Sequence, residues 1–201
     1  MLYPNALTIQ KVMTTRNNTE GWRESQPQAL IQTSVGNLLT SRVTCSRSGK
    51  EKNFYRFDFP AWVNIVALTP EQKILMIRQY RFGSGKMEWE IPGGAVEDGE
   101  QPLAAGLREL LEETGYEGEN GRIIGSVCPN PALQNNSCYT VLVENVQRIS
   151  PQNLDEMEDI SVEPMAIDEV MNMVKQGTLT HGLVLNGLLF YFMTHRPDIF
   201  F

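Results

Sequence analysis

Hydrophobic and polar positions alternate in short runs through the first third of the chain and then change period. Residues 1–20 are polar and unpatterned, a lead-in without a regular element. From about residue 29 to 59, β-type runs alternate with turn signals. Residues 38–45 form one run and residues 54–59 another, with Ser48, Gly49 and Lys50 marking a hairpin between them. This predicts a small antiparallel sheet. Residues 62–68 (Trp-Val-Asn-Ile-Val-Ala-Leu) read as a buried strand. Thr69, Pro70, Glu71 and Gln72 form a turn, and residues 73–80 return as its hairpin partner. A helix is predicted over 101–114, with Pro102 at its start and Gly115 just past its end. Strands follow over 122–128, 137–145 and 160–165. A Pro- and Asn-rich loop separates the first two, and an acidic loop (155–159) precedes the third. Helices over 167–176 and about 183–194 close the chain, with Gly177 as a stop signal. There is no internal repeat.

At 201 residues the chain is long enough to bury a core without disulfides. Three cysteines, Cys45, Cys128 and Cys138, make an odd set with no Cys-x-x-Cys pair. They read as reduced thiols of a cytoplasmic protein, not as a zinc site. The longest apolar stretch, 182–193, is too short to span a bilayer and contains Asn186. The net charge of -7 argues against nucleic-acid backbones and anionic membranes as partners. That acidity is concentrated. Between Glu97 and Glu119 stand eight acids and one base, Arg108.

The helix over 101–114 concentrates the chemistry. At about 100° per residue, Leu103, Leu107, Leu110 and Leu111 share one face, and Glu109, Glu112 and Glu113 share the opposite one. Like charges at these spacings repel, so the helix needs a compensating cation. Three carboxylates on one side offer the hard oxygen ligands that Mg²⁺ takes, with Mn²⁺ as a possible substitute. Arg108 stands where it can orient a neighbouring carboxylate. On the helix alone, a solvated acidic face remains the simpler reading. Arg78 and Arg81 are candidate phosphate contacts or surface ion-pair partners. Asn130, Gln134, Asn135 and Asn136 are candidate readers of a sugar or base, or turn formers. Gly83-Ser84-Gly85-Lys86 is not a phosphate loop, because Tyr80 and Met87 stand where glycine and a hydroxyl residue belong. His181 reads as a helix cap.

The full spacing around the helix resembles the Nudix box, G-x5-E-x7-R-E-U-x-E-E-x-G-U, where U is aliphatic. Gly94, Glu100, Arg108, Glu109, Glu112, Glu113 and Gly115 occupy the seven fixed positions, and Leu110 the first U. Tyr116 departs from the last U. Residues 78–81 (Arg-Gln-Tyr-Arg), residues 88–94 (Glu-Trp-Glu-Ile-Pro-Gly-Gly) and the acidic loop extend the similarity to ADP-ribose pyrophosphatases, from about Phe57 to the C-terminus.

The resemblance implies an α/β fold, the Nudix α/β/α sandwich with a mixed sheet, over residues 58–201. Residues 1–57 would be an N-terminal antiparallel β extension that helps build a homodimer. It implies Mg²⁺-dependent hydrolysis of a nucleoside diphosphate linked to another moiety, first ADP-ribose to AMP and ribose 5-phosphate. Other nucleotide sugars of the GDP-mannose type, dinucleotides, and a sensor domain that binds without cleaving are the alternatives. Glu109, Glu112 and Glu113 would hold metal with the Gly93 carbonyl, and Arg108 and Glu113 would belong to the catalytic set. Glu156, and after it Glu158, would be the general base. Glu100 would brace the box loop.

Overall fold

The computed structural model describes residues 21–196, so the polar lead-in expected over 1–20 lies outside the described residues. The chain divides into two compact units with the boundary between Asp58 and Phe59.

The described part of the first unit is an antiparallel sheet. Its strands are β1 (Trp22–Glu24), β2 (Gln28–Thr33), β3 (Gly36–Cys45) and β4 (Glu51–Asp58). The long β3 pairs with β4 along one edge, while its other edge is shared between β2 and β1. The hairpin expected at Ser48–Lys50 is present, with Gly49 in the left-handed region at φ 67. Leu30, Ile31, Phe54, Tyr55 and Phe57 stay exposed.

The second unit contains two sheets. In the first, β8 (Gly93–Ala95), β5 (Trp62–Ala67), β10 (Cys138–Arg148) and β9 (Tyr116–Val127) lie in that order. The β5–β10 pair is parallel and the other two are antiparallel, so the sheet is mixed. The second sheet is antiparallel, with β6 (Lys73–Arg81) between β11 (Ser161–Ala166) and β7 (Lys86–Glu90). Among the described residues the helices are, in chain order, α1 (Pro102–Thr114), α2 (Ile167–Lys175) and α3 (Gly182–His195).

Side chains of a strand alternate between its two faces, and here each face of the mixed sheet has its own core. Val63, Ile65, Ala67, Val141 and Val143 pack with Ala105 and Leu110 of α1. Val66 and Leu142 pack with Val184, Leu188, Tyr191 and Phe192 of α3. Helices thus cover both faces, an α/β/α arrangement. Asn64, buried among apolar neighbours, donates to the Leu183 carbonyl at 2.9 Å and accepts from Trp62 Nε1 at 3.0 Å. This polar bridge pins the start of α3 to β5.

Two expectations from the sequence pattern are corrected. Strands β5 and β6 do not form a hairpin pair. A bridge joins Leu68, just past β5, to Ile74 of β6, and the two strands lie in different sheets. The reason is edge occupancy. β10 takes one edge of β5 and β8 takes the other, with Ile65 N–H donating to the Pro92 carbonyl at 2.8 Å.

The leucine stripe of α1 is not its buried face either. Leu107 and Leu111 are exposed, while Ala105, Gly106, Leu110, Glu113 and Thr114 are buried. The helix turns the edge between its leucine and carboxylate stripes inward. A Cβ on Gly106 would lie 2.8 Å from a Val141 methyl. Glycine therefore sets how closely α1 approaches the sheet. Gly106→Val should cost about 1–3 kcal/mol of unfolding free energy by overpacking, measured by chemical denaturation. An unchanged midpoint would contradict this packing.

Candidate active site

The turn before α1 and the helix itself are held together by Arg108. Its five guanidinium N–H groups have five partners. Nε and Nη2 donate to the two Glu100 oxygens at 3.1 and 3.0 Å. Nη1 donates to Glu109 at 2.9 Å and Glu112 at 3.0 Å, and Nη2 also donates to the Ala95 carbonyl at 3.1 Å. These carboxylates hold the guanidinium more firmly protonated than usual. Glu100 also accepts from Glu97 N–H at 3.1 Å, closing the loop, and Arg108 draws its carboxyl below the ordinary range.

Glu113 lies on the inner face of α1 and is only 4% exposed. Its Oε2 accepts from the Gly93 N–H at 2.9 Å. Burial pushes its carboxyl up to about 8, against the pull of that N–H, with repulsion from Glu109 and Glu158 adding to the rise. Glu109 is also raised, first by burial, with Arg108 opposing. The Glu109 carboxylate lies against Gly94, so a Cβ at residue 94 would displace it. The helix ends at Gly115, in the left-handed region at φ 74, where a Cβ would collide with the Ser150 carbonyl oxygen.

The acidic loop is tethered to this helix end. Gln152 Nε2 donates to the Glu113 carbonyl at 2.6 Å and to the Ile160 carbonyl at 2.9 Å. Asn153 N–H donates to the Glu112 carbonyl at 2.9 Å. No sequence signal marks Gln152, an ordinary loop glutamine. Within the loop, Glu158 Oε2 accepts from Asp155 N–H at 3.0 Å. Glu158 lines a cleft of about 650 Å³ with Trp62, Gln79, Arg81, Glu88 and His181. Glu156 is exposed and is not among the cleft-lining residues.

Arg81 reaches the cleft wall and forms a two-point contact with buried Glu90 at 2.6 and 2.7 Å. Its charge is reinforced first by that hydrogen bonding. Glu90 was not singled out in the sequence; two-residue spacing from Glu88 on one strand was the available signal. Arg78 lies elsewhere, its guanidinium 5.6 Å from the Trp89 ring. Asn130, Gln134 and Asn135 are not among the cleft-lining residues. The Asn130 carbonyl accepts from Leu133 and Gln134 N–H at 2.9 and 2.7 Å, a turn. Asn136 Nδ2 donates to the Pro60 carbonyl at 3.1 Å. His181 caps α3, its Nδ1 accepting from Val184 N–H at 3.4 Å.

Among the described residues, no three His, Cys, Asp or Glu side chains are gathered closely enough to hold a metal ion in this arrangement. Arg108 and the Gly93 N–H occupy the carboxylates instead. The donor set still suits a hard divalent cation. Glu109 and Glu113 offer carboxylate oxygens whose pKa is raised by burial and by neighbouring negative charge, a repulsion that a cation would relieve.

The NUDIX domain family matches residues 58–184. Among curated proteins, the chain is 34% identical over 118 residues to a methanol dehydrogenase activator of Bacillus methanolicus, covering 58% of this chain and 64% of that one. It is 44% identical over 70 residues to an ADP-sugar pyrophosphatase of Mus musculus, covering 35% and 32%. It is 32% identical over 117 residues to an ADP-ribose pyrophosphatase of Bacillus subtilis (strain 168), covering 58% and 63%. The chain therefore spans less than two thirds of the length of each. Among solved structures, an ADP compounds hydrolase superposes with a TM-score of 0.78 at 16% identity, over 90% of this chain and 98% of that one. That likeness is one of fold. With the family match covering more than half of the sequence, over the carboxylate helix and both sheets, the chain belongs to the NUDIX domain family.

Proposed function

We propose that the protein is a Mg²⁺-dependent pyrophosphohydrolase that cleaves the diphosphate of a nucleoside diphosphate linked to another moiety. ADP-ribose, giving AMP and ribose 5-phosphate, is the first substrate. The observation that carries this is the carboxylate row of Glu109 and buried Glu113, which feels the charge of Glu158 on the wall of the cleft that Arg81 also lines. Relatives named ADP-ribose and ADP-sugar pyrophosphatase support the substrate class.

Glu109, Glu112 and Glu113 would hold the metal with the Gly93 carbonyl. The ion would neutralise diphosphate oxygens and lower the pKa of a water. Arg108 keeps Glu109 and Glu112 aligned through its shared Nη1. Arg81, fixed by Glu90, would present its remaining N–H groups to a phosphate oxygen. Glu158 replaces Glu156 as the first choice of general base. It lines the cleft, whereas Glu156 does not. A Glu158 oxygen would take the proton of the attacking water, on a loop that Gln152 ties to the end of α1.

No helix among the described residues is long and apolar enough to cross a membrane. Cys45, Cys128 and Cys138 are free thiols. Both features are compatible with the cytoplasmic placement in this reading. The exposed apolar side chains of β2 and β4 support pairing of two copies through the N-terminal unit. Light scattering should then give twice the 22.7 kDa of one chain, and a monomer would contradict the pairing.

The reading is tested by chromatography of products from ADP-ribose, ADP-glucose, GDP-mannose, NADH and diadenosine polyphosphates with Mg²⁺. Glu113→Gln serves as the comparison. Glutamine keeps an acceptor for the Gly93 N–H and replaces a carboxyl already raised toward neutrality. The variant should therefore melt like the parent in chelator. Its turnover should fall by more than the ~10–100-fold typical of losing an outer metal partner. Fastest release of AMP and ribose 5-phosphate from ADP-ribose supports the substrate. Faster cleavage of another compound changes the substrate alone. Ligand binding without cleavage favours a sensor.

A further inference from the structure

The cleft wall contains a polar pair that neither the carboxylate chemistry nor the core explains. In the antiparallel ladder of β6 and β7, Gln79 stands directly opposite Glu88. Residues opposed in this way project to the same face of the sheet. Both are more than nine-tenths buried, at 8% and 7% exposure, and both line the cleft. Gln79 Nε2 is buried and has no hydrogen-bond partner. A buried amide left unsatisfied costs roughly 1–3 kcal/mol. Glu88 has one ion pair among the described residues, to exposed Lys86 at 3.4 Å. Surface pairs of this kind contribute little. An unpartnered donor therefore sits beside a buried acceptor on the wall of a substrate-sized cleft.

Two neighbouring hydroxyls complement this pair. One donates to the Glu88 carboxylate, and the next accepts from the Gln79 N–H. A phosphate does not complement the pair itself, because the Glu88 carboxylate would repel it. The apolar surfaces of Trp62, Tyr80 and Leu183 in the same cleft provide packing for a sugar ring.

We propose that Gln79 and Glu88 are specificity residues that read vicinal sugar hydroxyls of the substrate. The inference rests on the hydrolase reading and deepens it. The hydroxyls come from the nucleoside ribose or from the distal sugar, and the experiment separates the two.

Wild-type protein, Gln79→Leu, Glu88→Leu and Glu88→Gln are assayed with Mg²⁺ on three compounds. These are ADP-ribose, the methyl ester of ADP, which lacks the distal sugar, and the dideoxyadenosine analogue of ADP-ribose, which lacks the nucleoside hydroxyls. Each leucine variant should lose roughly 10- to 100-fold in kcat/KM on ADP-ribose. Glu88→Gln, which keeps an acceptor, should lose less. The penalty should disappear on the one analogue that lacks the recognised hydroxyls, and that analogue identifies the sugar. Lys86→Met should leave the ratios among the three compounds unchanged. Circular dichroism melts verify folding, and Glu88→Gln serves where a leucine variant does not fold. Equal penalties on all three compounds, or none on any, would overturn the proposal. Wild-type protein that cleaves none of the three would instead overturn ADP-ribose as the substrate, and the role of the pair with it.

Discussion

The hydrogen bond from the Gly93 N–H to the buried Glu113 carboxylate is the constraint around which the second unit is organised. It requires an ionisable side chain on the inner face of a helix, normally a costly position. Several features follow from it. Helix α1 is rolled so that Leu107 and Leu111 stay exposed, and Gly106 lets it approach Val141 closely enough to bring Glu113 to β8. The Glu109 carboxylate lies against Gly94, in space that a side chain there would take. Gly115 ends the helix against Ser150, and Gln152 ties that end to the acidic loop. A carboxylate cluster results in which burial and mutual repulsion oppose ionisation, and Arg108 supplies local compensation.

The cleft has a separate origin. Both edges of β5 are occupied, by β8 and β10, so β6 must leave and seed a second sheet. The divergence leaves space between Trp62 at the start of β5, the polar ends of β6 and β7, and the start of α3 at His181 and Leu183. The acidic loop supplies the remaining wall. The two constraints meet at Arg81 and Glu158, which line the cleft and act electrostatically on Glu113.

The parts legible in the sequence are those encoded locally. Fixed spacing from Gly94 to Gly115 identified α1 and its carboxylates, because helical periodicity and the flanking Pro102 and Gly115 act within a few residues. Most strands were placed for the same reason. The roll of α1 was not legible, since leucines on one side and glutamates on the other leave an ambiguous edge, and Gly106 decides between them only once Val141 is known. The separation of β5 from β6 was hidden because a turn at residues 69–72 looks the same whether the strands pair or part. Glu156 and Glu158 are indistinguishable in an acidic run; in the structure Glu158 lines the cleft and Glu156 does not. Gln79 and Glu88 became a pair only through strand register. Asn130 and Gln134 have compositions suited equally to a site and a turn, and the hydrogen bonds place them in a turn.

In the proposed reaction this carboxylate cluster directs water to a phosphorus atom of a linked diphosphate. Phosphorus NMR of ADP-ribose incubated with the protein in ¹⁸O-enriched water, with Mg²⁺ or with chelator, tests it directly. The paired diphosphate signals should give way to two monoester signals, one carrying the isotope shift, in the presence of Mg²⁺ only. An intact diphosphate after prolonged incubation with Mg²⁺, or cleavage that leaves the phosphorus–oxygen bridge in place, would contradict it.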